Sequence, residues 1–250
     1  MIAGLVSVIT PTYNCGKFIG ATIRSVLDQT YTNWEMIIVD DCSKDDTKTV
    51  VSSFVNHDNR IHYYCLTSNS GAAVARTTAM NHANGEYIAF LDSDDVWISN
   101  KLEKQLAFMK THRYAFTCTA YEQITETGQS INKVFKPPKK INYNRLLLDC
   151  PVGNSTVMYS VEIMGKFEVP NIRKRNDDAL WLRMLKKEQY IWSLPDVLTH
   201  YRVRSNSISS NKLDLIKYHW TLYRKIESLS FFRTIFHIGY WGLIKILKFK

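Results

Sequence analysis

No glycine-rich phosphate signature is present. Neither G-x-G-x-x-G nor G-x-x-x-x-G-K-[ST] occurs in the 250 residues, so a dinucleotide fingerprint and a P-loop are both excluded. Cysteine is scarce and unpatterned. Cys15, Cys42, Cys65, Cys118 and Cys150 are odd in number and form no C-x-x-C, which argues against a disulfide framework and a spaced-cysteine zinc site and points to a reducing compartment. The N-terminal MIAGLVSVIT lacks a basic n-region and runs straight into a strand-like pattern, so no signal peptide is expected. No uncharged stretch reaches the roughly 18 residues of a membrane span. Internal repeats and low-complexity tracts are missing as well.

What is present is 45% apolar content, enough for one sizeable core, and a charge that is unevenly spread. The net +9 conceals an acidic first hundred residues, with 6 basic groups against 11 acidic, and a basic last fifty, with 10 against 2. The two ends of the chain therefore serve different surroundings.

The first 120 residues alternate short β-branched runs with segments of helical spacing, the pattern of βαβ units around a mostly parallel sheet. Strands are predicted near 5–10, 35–40, 61–66, 86–91 and 114–120. Phe18, Ile19, Ile23, Val26 and Leu27 share one helical face, and Gly71 to Ala83 is alanine-rich with no breaker inside. After the loop KPPKK at 136–140 the pattern is mixed: strand-like Ser155 to Tyr159, a helix from Asp177 to Lys187, and extended Val197 to Arg202. The reading is an α/β domain over 1–209, in halves of 1–120 and 121–209, followed by a basic, aromatic helical extension over 210–250.

Ligands of an open parallel sheet bind beyond the carboxyl ends of its strands. Each polar cluster of the first half falls at such an end: TPTYN, DDCSKDDT, TSNSG and DSDD. Asp92, Asp94 and Asp95 form D-x-D-D, hard oxygen donors suited to Mg²⁺ or Mn²⁺ held jointly with a substrate's phosphates. The competing use is to cap a helix running through Trp97 and Leu102. Asp40 and Asp41 could accept the N3–H of a uracil ring, while Asp45 and Asp46 are expected to start the next helix, where carboxylates meet its positive end. Pro11 and Tyr13 offer a wall and a stacking face for a base. Asn69 and Gly71 mark a tight helix entry, and Arg76, one to two turns in, is placed to face phosphate or the acidic cluster.

The stretches VSVITPTYNCGKFIGATIRSVLDQTYTNWEMIIVDDCSKDDT, NSGAAVARTTAMNHANGEYIAFLDSDD and NDDALWLRML resemble the family 2 glycosyltransferases of the GT-A fold, over roughly residues 4–205. The resemblance implies a Rossmann-like, mostly parallel sheet with helices on both faces. It also implies an inverting transfer from a nucleotide-diphosphate sugar, UDP-linked by expectation, with a divalent cation. By that resemblance Asp41 meets the base, Asp92 and the adjacent Ser93 lie at the ribose or metal region, and Asp94 is the principal metal ligand. Pro11, Thr12, Tyr13 and Arg76 match nucleotide-pocket positions. The family's base sits in an E-D pair ahead of a helix like LWLRL; here Asn176-Asp177 stands there, which makes Asp177 the expected base and Asp178 the second candidate. The Q-x-x-R-W signature of processive members is missing, so single-sugar transfer is expected. Relatives of this size suggest bacterial surface polysaccharide synthesis on a lipid-linked carrier, at the inner face of the cell membrane.

Residues 232–248 suit that setting. Phe232, Ile235, Phe236, Gly239, Leu243, Ile246 and Leu247 share one helical face, with Arg233, His237 and Lys248 opposite, although Ile244 and Trp241 fall among the polar positions. This is the pattern of an interfacial helix on anionic lipid; the alternative is packing on the catalytic domain or in a homodimer. Three rival functions compete with this one. A non-catalytic nucleotide-sugar-binding module remains because Asn176 departs from the family's glutamate. A sugar-phosphate nucleotidyltransferase would need a Gly-rich, Arg-containing loop where TPTYNCG stands. Nucleic-acid binding by the basic tail lacks any recognised module.

Overall fold

A computed structural model describes residues 1–204 and 212–247. Its strands are β1 (Ile2–Thr12), β2 (Trp34–Asp40), β3 (Ile61–Cys65), β4 (Gly85–Phe90), β5 (Val96–Trp97), β6 (Phe116–Ile124), β7 (Ser130–Phe135), β8 (Lys140–Ile141), β9 (Met158–Ser160) and β10 (Ile191–Arg202). The helices are α1 (Gly16–Leu27), α2 (Thr47–Val55), α3 (Ala72–His82), α4 (Lys101–His112), α5 (Tyr143–Leu148), α6 (Val161–Met164), α7 (Asn176–Met184), α8 (Lys212–Trp220) and α9 (Phe231–Leu247). A 3-10 turn spans Asn154–Thr156, and a π-helical stretch, Thr221–Ile226, continues α8.

The strands form one sheet in the order β3-β2-β1-β4-β9-β6-β10-β5, with β7 and β8 added on β6 and β10. The pairs β3/β2, β2/β1, β1/β4 and β6/β10 are parallel, and β9 enters antiparallel between β4 and β6. Because parallel strands are covered on both faces, β2 is buried at every residue. The two-residue period then sorts its side chains into two cores. Val8 and Ile38 pack with α1, α2 and α4 through Ile19, Ile23, Val51, Leu102 and Leu106. Ile9 and Val39 face the other way, onto Ala75 and Ala79 of α3 and Trp181 of α7.

The α/β class and the five predicted strands hold. Three local readings change. Trp97 belongs to β5, pinned by pairing with β10, and α4 begins at Lys101 with Asn100 as its N-cap, so Asp94 and Asp95 cap no helix. Strand-like Ser155 is in the 3-10 turn, and pairing starts only at Met158. Extended Val197 to Arg202 is the end of a longer strand that begins at Ile191.

The extension is joined to the fold. The 209/210 boundary lies outside the described residues, but Leu222, Tyr223 and Leu229 beyond it belong to the core that holds Trp181 and Leu147. The Tyr223 hydroxyl donates to the Leu147 carbonyl. In α9 one face is buried through Thr234, His237 and Trp241, while Phe232, Ile235, Phe236 and Leu243 are exposed. His237 is therefore not on a solvent-facing polar side; it packs against Tyr223 at 5.4 Å, and its burial, with Arg233 nearby, lowers its pKa. Trp241 breaks the polar face of the sequence pattern because it is a protein contact, 4.4 Å from His219. The side chains of Ile246, Leu247 and Lys248 lie outside the described residues.

Candidate active site

The polar strand ends meet at one edge of the sheet. At the end of β2, Asp40 is spent on the fold: one oxygen accepts from the amide and hydroxyl of Ser43, the other from Tyr63. Asp41, the next residue, points to the β3–α3 connection. Its two oxygens accept the amides of Ser70 at 2.6 Å and Gly71 at 2.8 Å, and Asn69 donates to its carbonyl. Gly71 takes φ +94, a left-handed conformation closed to most side chains, as the chain turns from this carboxylate anchor into α3. Pro11 and Thr12 are the last residues of β1 and are buried, whereas Tyr13 is 46% exposed. Asp45 does the helix-starting work expected of it, accepting from Thr47 and from the Gly16 amide; Asp46 occupies the N-cap position of α2 without a side-chain cap bond.

The D-x-D-D loop after β4 is braced from behind. Ser155 donates to Asp95 and accepts the Asp92 amide, and the Arg202 amide also donates to Asp95. Asp95, 2% exposed, is thus structural. The Ser93 carbonyl accepts from Cys15 and Thr22, which fixes the turn. Asp92 and Asp94 face the cleft. One Asp92 oxygen accepts from Arg76 at 2.9 Å and Asn154 at 2.8 Å; one Asp94 oxygen accepts from Arg204 at 3.1 Å. Withdrawal from water raises the Asp92 pKa to about 6, opposed by Arg76 and reinforced by the carboxylates of Asp94 and Asp177.

Three like charges gathered this closely repel unless a cation joins them. Among the described residues no three His, Cys, Asp or Glu side chains form a closed metal cage. The second oxygens of Asp92 and Asp94 have no hydrogen-bond partner there either. Two hard donors beside open space fit Mg²⁺ or Mn²⁺ when a ligand brings the remaining oxygens. Thr12 Oγ1, Arg76 Nε and Asn154 Oδ1 are likewise buried and unpartnered among the described residues, as expected of a polar cleft built for a ligand.

Arg76 joins the two halves of the chain: 4% exposed, it also donates to Asn176, the first residue of α7. That contact brings the first turn of α7 to the acidic cluster. The adjacent carboxylates there have different surroundings. Asp178 is buried and ion-paired with Arg175 at 2.5 Å, whereas Asp177 is half-buried and, among the described residues, makes no such close ion pair, although its charge reaches Arg175. Arg175 itself takes φ +65 to enter the helix. Asn154, Ser155, Arg202 and Arg204 were not singled out in the sequence. The only available signal was the polar run GNST between apolar segments.

The model of Glycosyl transferase family 2 matches residues 7–169. The chain is 46% identical over 230 residues to "Putative teichuronic acid biosynthesis glycosyltransferase TuaG" of Bacillus subtilis (strain 168), covering 92% of this chain and 91% of that protein. It is 42% identical over 217 residues to the Escherichia coli UDP-Glc:alpha-D-GlcNAc-diphosphoundecaprenol beta-1,3-glucosyltransferase WfgD, covering 86% and 84%. The fold is shared with S. aureus TarS 1-349 in complex with UDP-GlcNAc, at a TM-score of 0.72 and 21% identity, over 94% of this chain and 71% of that one.

Proposed function

The chain belongs to Glycosyl transferase family 2, and on that premise we propose that it transfers one sugar from a UDP-sugar to a hydroxyl of a lipid-linked saccharide, with inversion, in bacterial surface polysaccharide synthesis. The observation that carries this reading is Asp177, a half-buried carboxylate that makes no close ion pair among the described residues, in the first turn of α7 and close enough to Asp92 to raise its pKa. A base so placed takes the acceptor's proton as its oxygen attacks the anomeric carbon. Asp178, held by Arg175, positions that turn. Tyr13 and Asp41 receive the base of the nucleotide, with Asn69 and Gly71 shaping the wall and Asp40 bracing it. Pro11, Thr12 and Ser93 form the floor, and Arg76 keeps Asp92 aimed. Asp94 and Asp92 would hold Mg²⁺ or Mn²⁺, which when bound supplies the positive charge that two phosphates need beside carboxylates.

The donor and acceptor classes draw support from WfgD, whose name gives a UDP-Glc donor and a diphosphoundecaprenol-linked acceptor, and from TarS, solved with UDP-GlcNAc. The experiment is a panel of nucleotide sugars with Mn²⁺, with and without a diphosphoundecaprenol-linked saccharide, read as released nucleotide. Acceptor-dependent release of UDP from one donor is expected; release of GDP or CMP instead, or none from any donor, refutes the donor class.

The reading includes peripheral attachment to the inner face of the cell membrane. Among the described residues no helix is long and apolar enough to cross a membrane. α9 instead presents Phe232, Phe236 and Leu243, 83%, 61% and 54% exposed; Arg233, next to Phe232 in the chain, and Lys217, Arg224 and Lys225 of the same extension are exposed cations. An exposed apolar stripe on a basic extension matches an anionic bilayer. Two copies facing each other through it would bring like charges together, which makes a homodimer the poorer occupant.

A further inference from the structure

The chain at the end of β10 places two arginines beside the D-x-D-D loop, and both guanidinium groups lie over the ring of Phe18, Arg202 at 5.3 Å and Arg204 at 4.8 Å. They are held very differently. Arg202 is 7% exposed. Its side chain donates to the carbonyls of Asp94, Thr125 and Glu126, and its amide donates to Asp95. It is part of the wall. Arg204 lies beyond the last residue of β10, and among the described residues its side chain donates one hydrogen bond, from Nη1 to Asp94 Oδ2 at 3.1 Å. That pair is partly open to water, 28% and 24% exposed, so it contributes little to holding the fold.

The placement has a chemical consequence. Asp94 is the carboxylate assigned to the divalent cation, and in the ligand-free chain a guanidinium already neutralises it. A planar guanidinium binds phosphate oxygens in a two-pronged fashion at least as well as it binds a carboxylate. Once a cation and a diphosphate reach the cleft, Arg204 has a better partner and Asp94 has a competing one. We propose that Arg204 is an exchangeable counter-ion: it screens Asp94 while the cleft is empty of nucleotide and passes to the donor's diphosphate on binding. Arg202 cannot make this exchange, because its donors are committed to backbone carbonyls. The inference rests on the nucleotide-diphosphate reading of the cleft and adds to it a phosphate contact outside the resemblance-derived set.

The test is calorimetry on the full chain with three probes: uridine, UDP with Mn²⁺, and Mn²⁺ alone. Arg204→Gln should weaken UDP by about 10- to 100-fold, the value of a hydrogen bond to a charged group. It should leave uridine within about twofold of wild type, which also reports that the cleft is intact, and it should tighten Mn²⁺ alone because Asp94 has lost its resident cation. Arg204→Lys keeps the charge without the fork and should fall between the two. UDP affinity unchanged in Arg204→Gln overturns the exchange, as does weaker binding of Mn²⁺ alone, or an equal loss of uridine and UDP. A wild-type chain that binds neither uridine nor UDP refutes the nucleotide reading, and the exchange with it.

Discussion

Cutting the chain after residue 211 should abolish the fold, although in sequence the last forty residues look like an appendage. Leu222, Tyr223, Leu229 and Trp241 are 1%, 2%, 6% and 7% exposed. At about 1.5–3 kcal/mol for each fully buried large side chain, the cut removes roughly 6–12 kcal/mol, an upper figure because unfolded chains are themselves partly compact. The whole stability of a domain is about 5–15 kcal/mol. The cut also strips the Tyr223 bond to Leu147 and removes Glu227, which accepts from Tyr143 and pairs with Lys186 at 2.7 Å. A cut after residue 229 spares the bonds of Tyr223 and Glu227 and loses, with the smaller burial of Thr234 and His237, chiefly that of Trp241. That amounts to about 2–3 kcal/mol, a fall in Tm of roughly 4–12 °C for a chain of this size. Circular dichroism melts of the chains 1–211, 1–229 and 1–250, with uridine binding as the readout of an intact cleft, decide the matter. A 1–211 chain that melts cooperatively within a few degrees of the full chain would refute the reasoning.

Asp177→Asn should keep UDP binding and lose about 10²- to 10⁴-fold in transfer; Asp178→Asn, whose carboxylate faces Arg175, should retain transfer per folded molecule, and the reverse pattern in released-UDP assays would move the base by one residue. Asp41→Ala removes the acceptor that holds the amides of Ser70 and Gly71 together with the carboxylate proposed to meet the base, so uridine and UDP should both weaken by at least about tenfold; a loss seen with UDP alone in calorimetry would contradict a base contact. Lys101 is fully buried, bonded to Gln105, and burial lowers its pKa to about 7. Between pH 7 and its unfolded value the unfolded chain binds more protons, so stability should rise with pH by about 2 kcal/mol from pH 7 to 8.5. Lys101→Met should lose that slope in urea titrations, and an identical slope in the variant would show that the amine is not held neutral. On the exposed face of α9, Phe232→Ser with Phe236→Ser should leave Tm nearly unchanged while reducing co-sedimentation with anionic vesicles, and wild-type binding should decline with salt. Binding that survives the double substitution, or that ignores lipid charge, would exclude this face as the membrane contact.

The parts of the site that were legible in the sequence are those a single element delivers. Asp92 and Asp94 could be placed because the apolar run of β4 ends at Leu91 and whatever follows must lie at the carboxyl edge of the sheet. Asp177 was reached only through the family resemblance, because a carboxylate ahead of an apolar helix serves equally well as a helix cap. Asp40 and Asp41 could not be told apart by position, since both follow the strand directly, and only the resemblance picked out Asp41; in the fold they point to opposite sides, one to Ser43 and Tyr63, the other to the β3–α3 entry. The residues that escaped notice are tied to the site by partners far away in the chain: Asn154 reaches Asp92 across 62 residues, and Arg204 reaches Asp94 across 110. No local period encodes such a pairing. The same limit explains α9. Its sequence shows apolar residues nearly all round, and a helical projection alone cannot say which stripe meets protein. Tyr223 decides it: seated on Leu147, it brings the preceding helix to His237 and Trp241, and that leaves Phe232, Phe236 and Leu243 on the exposed face among the described residues.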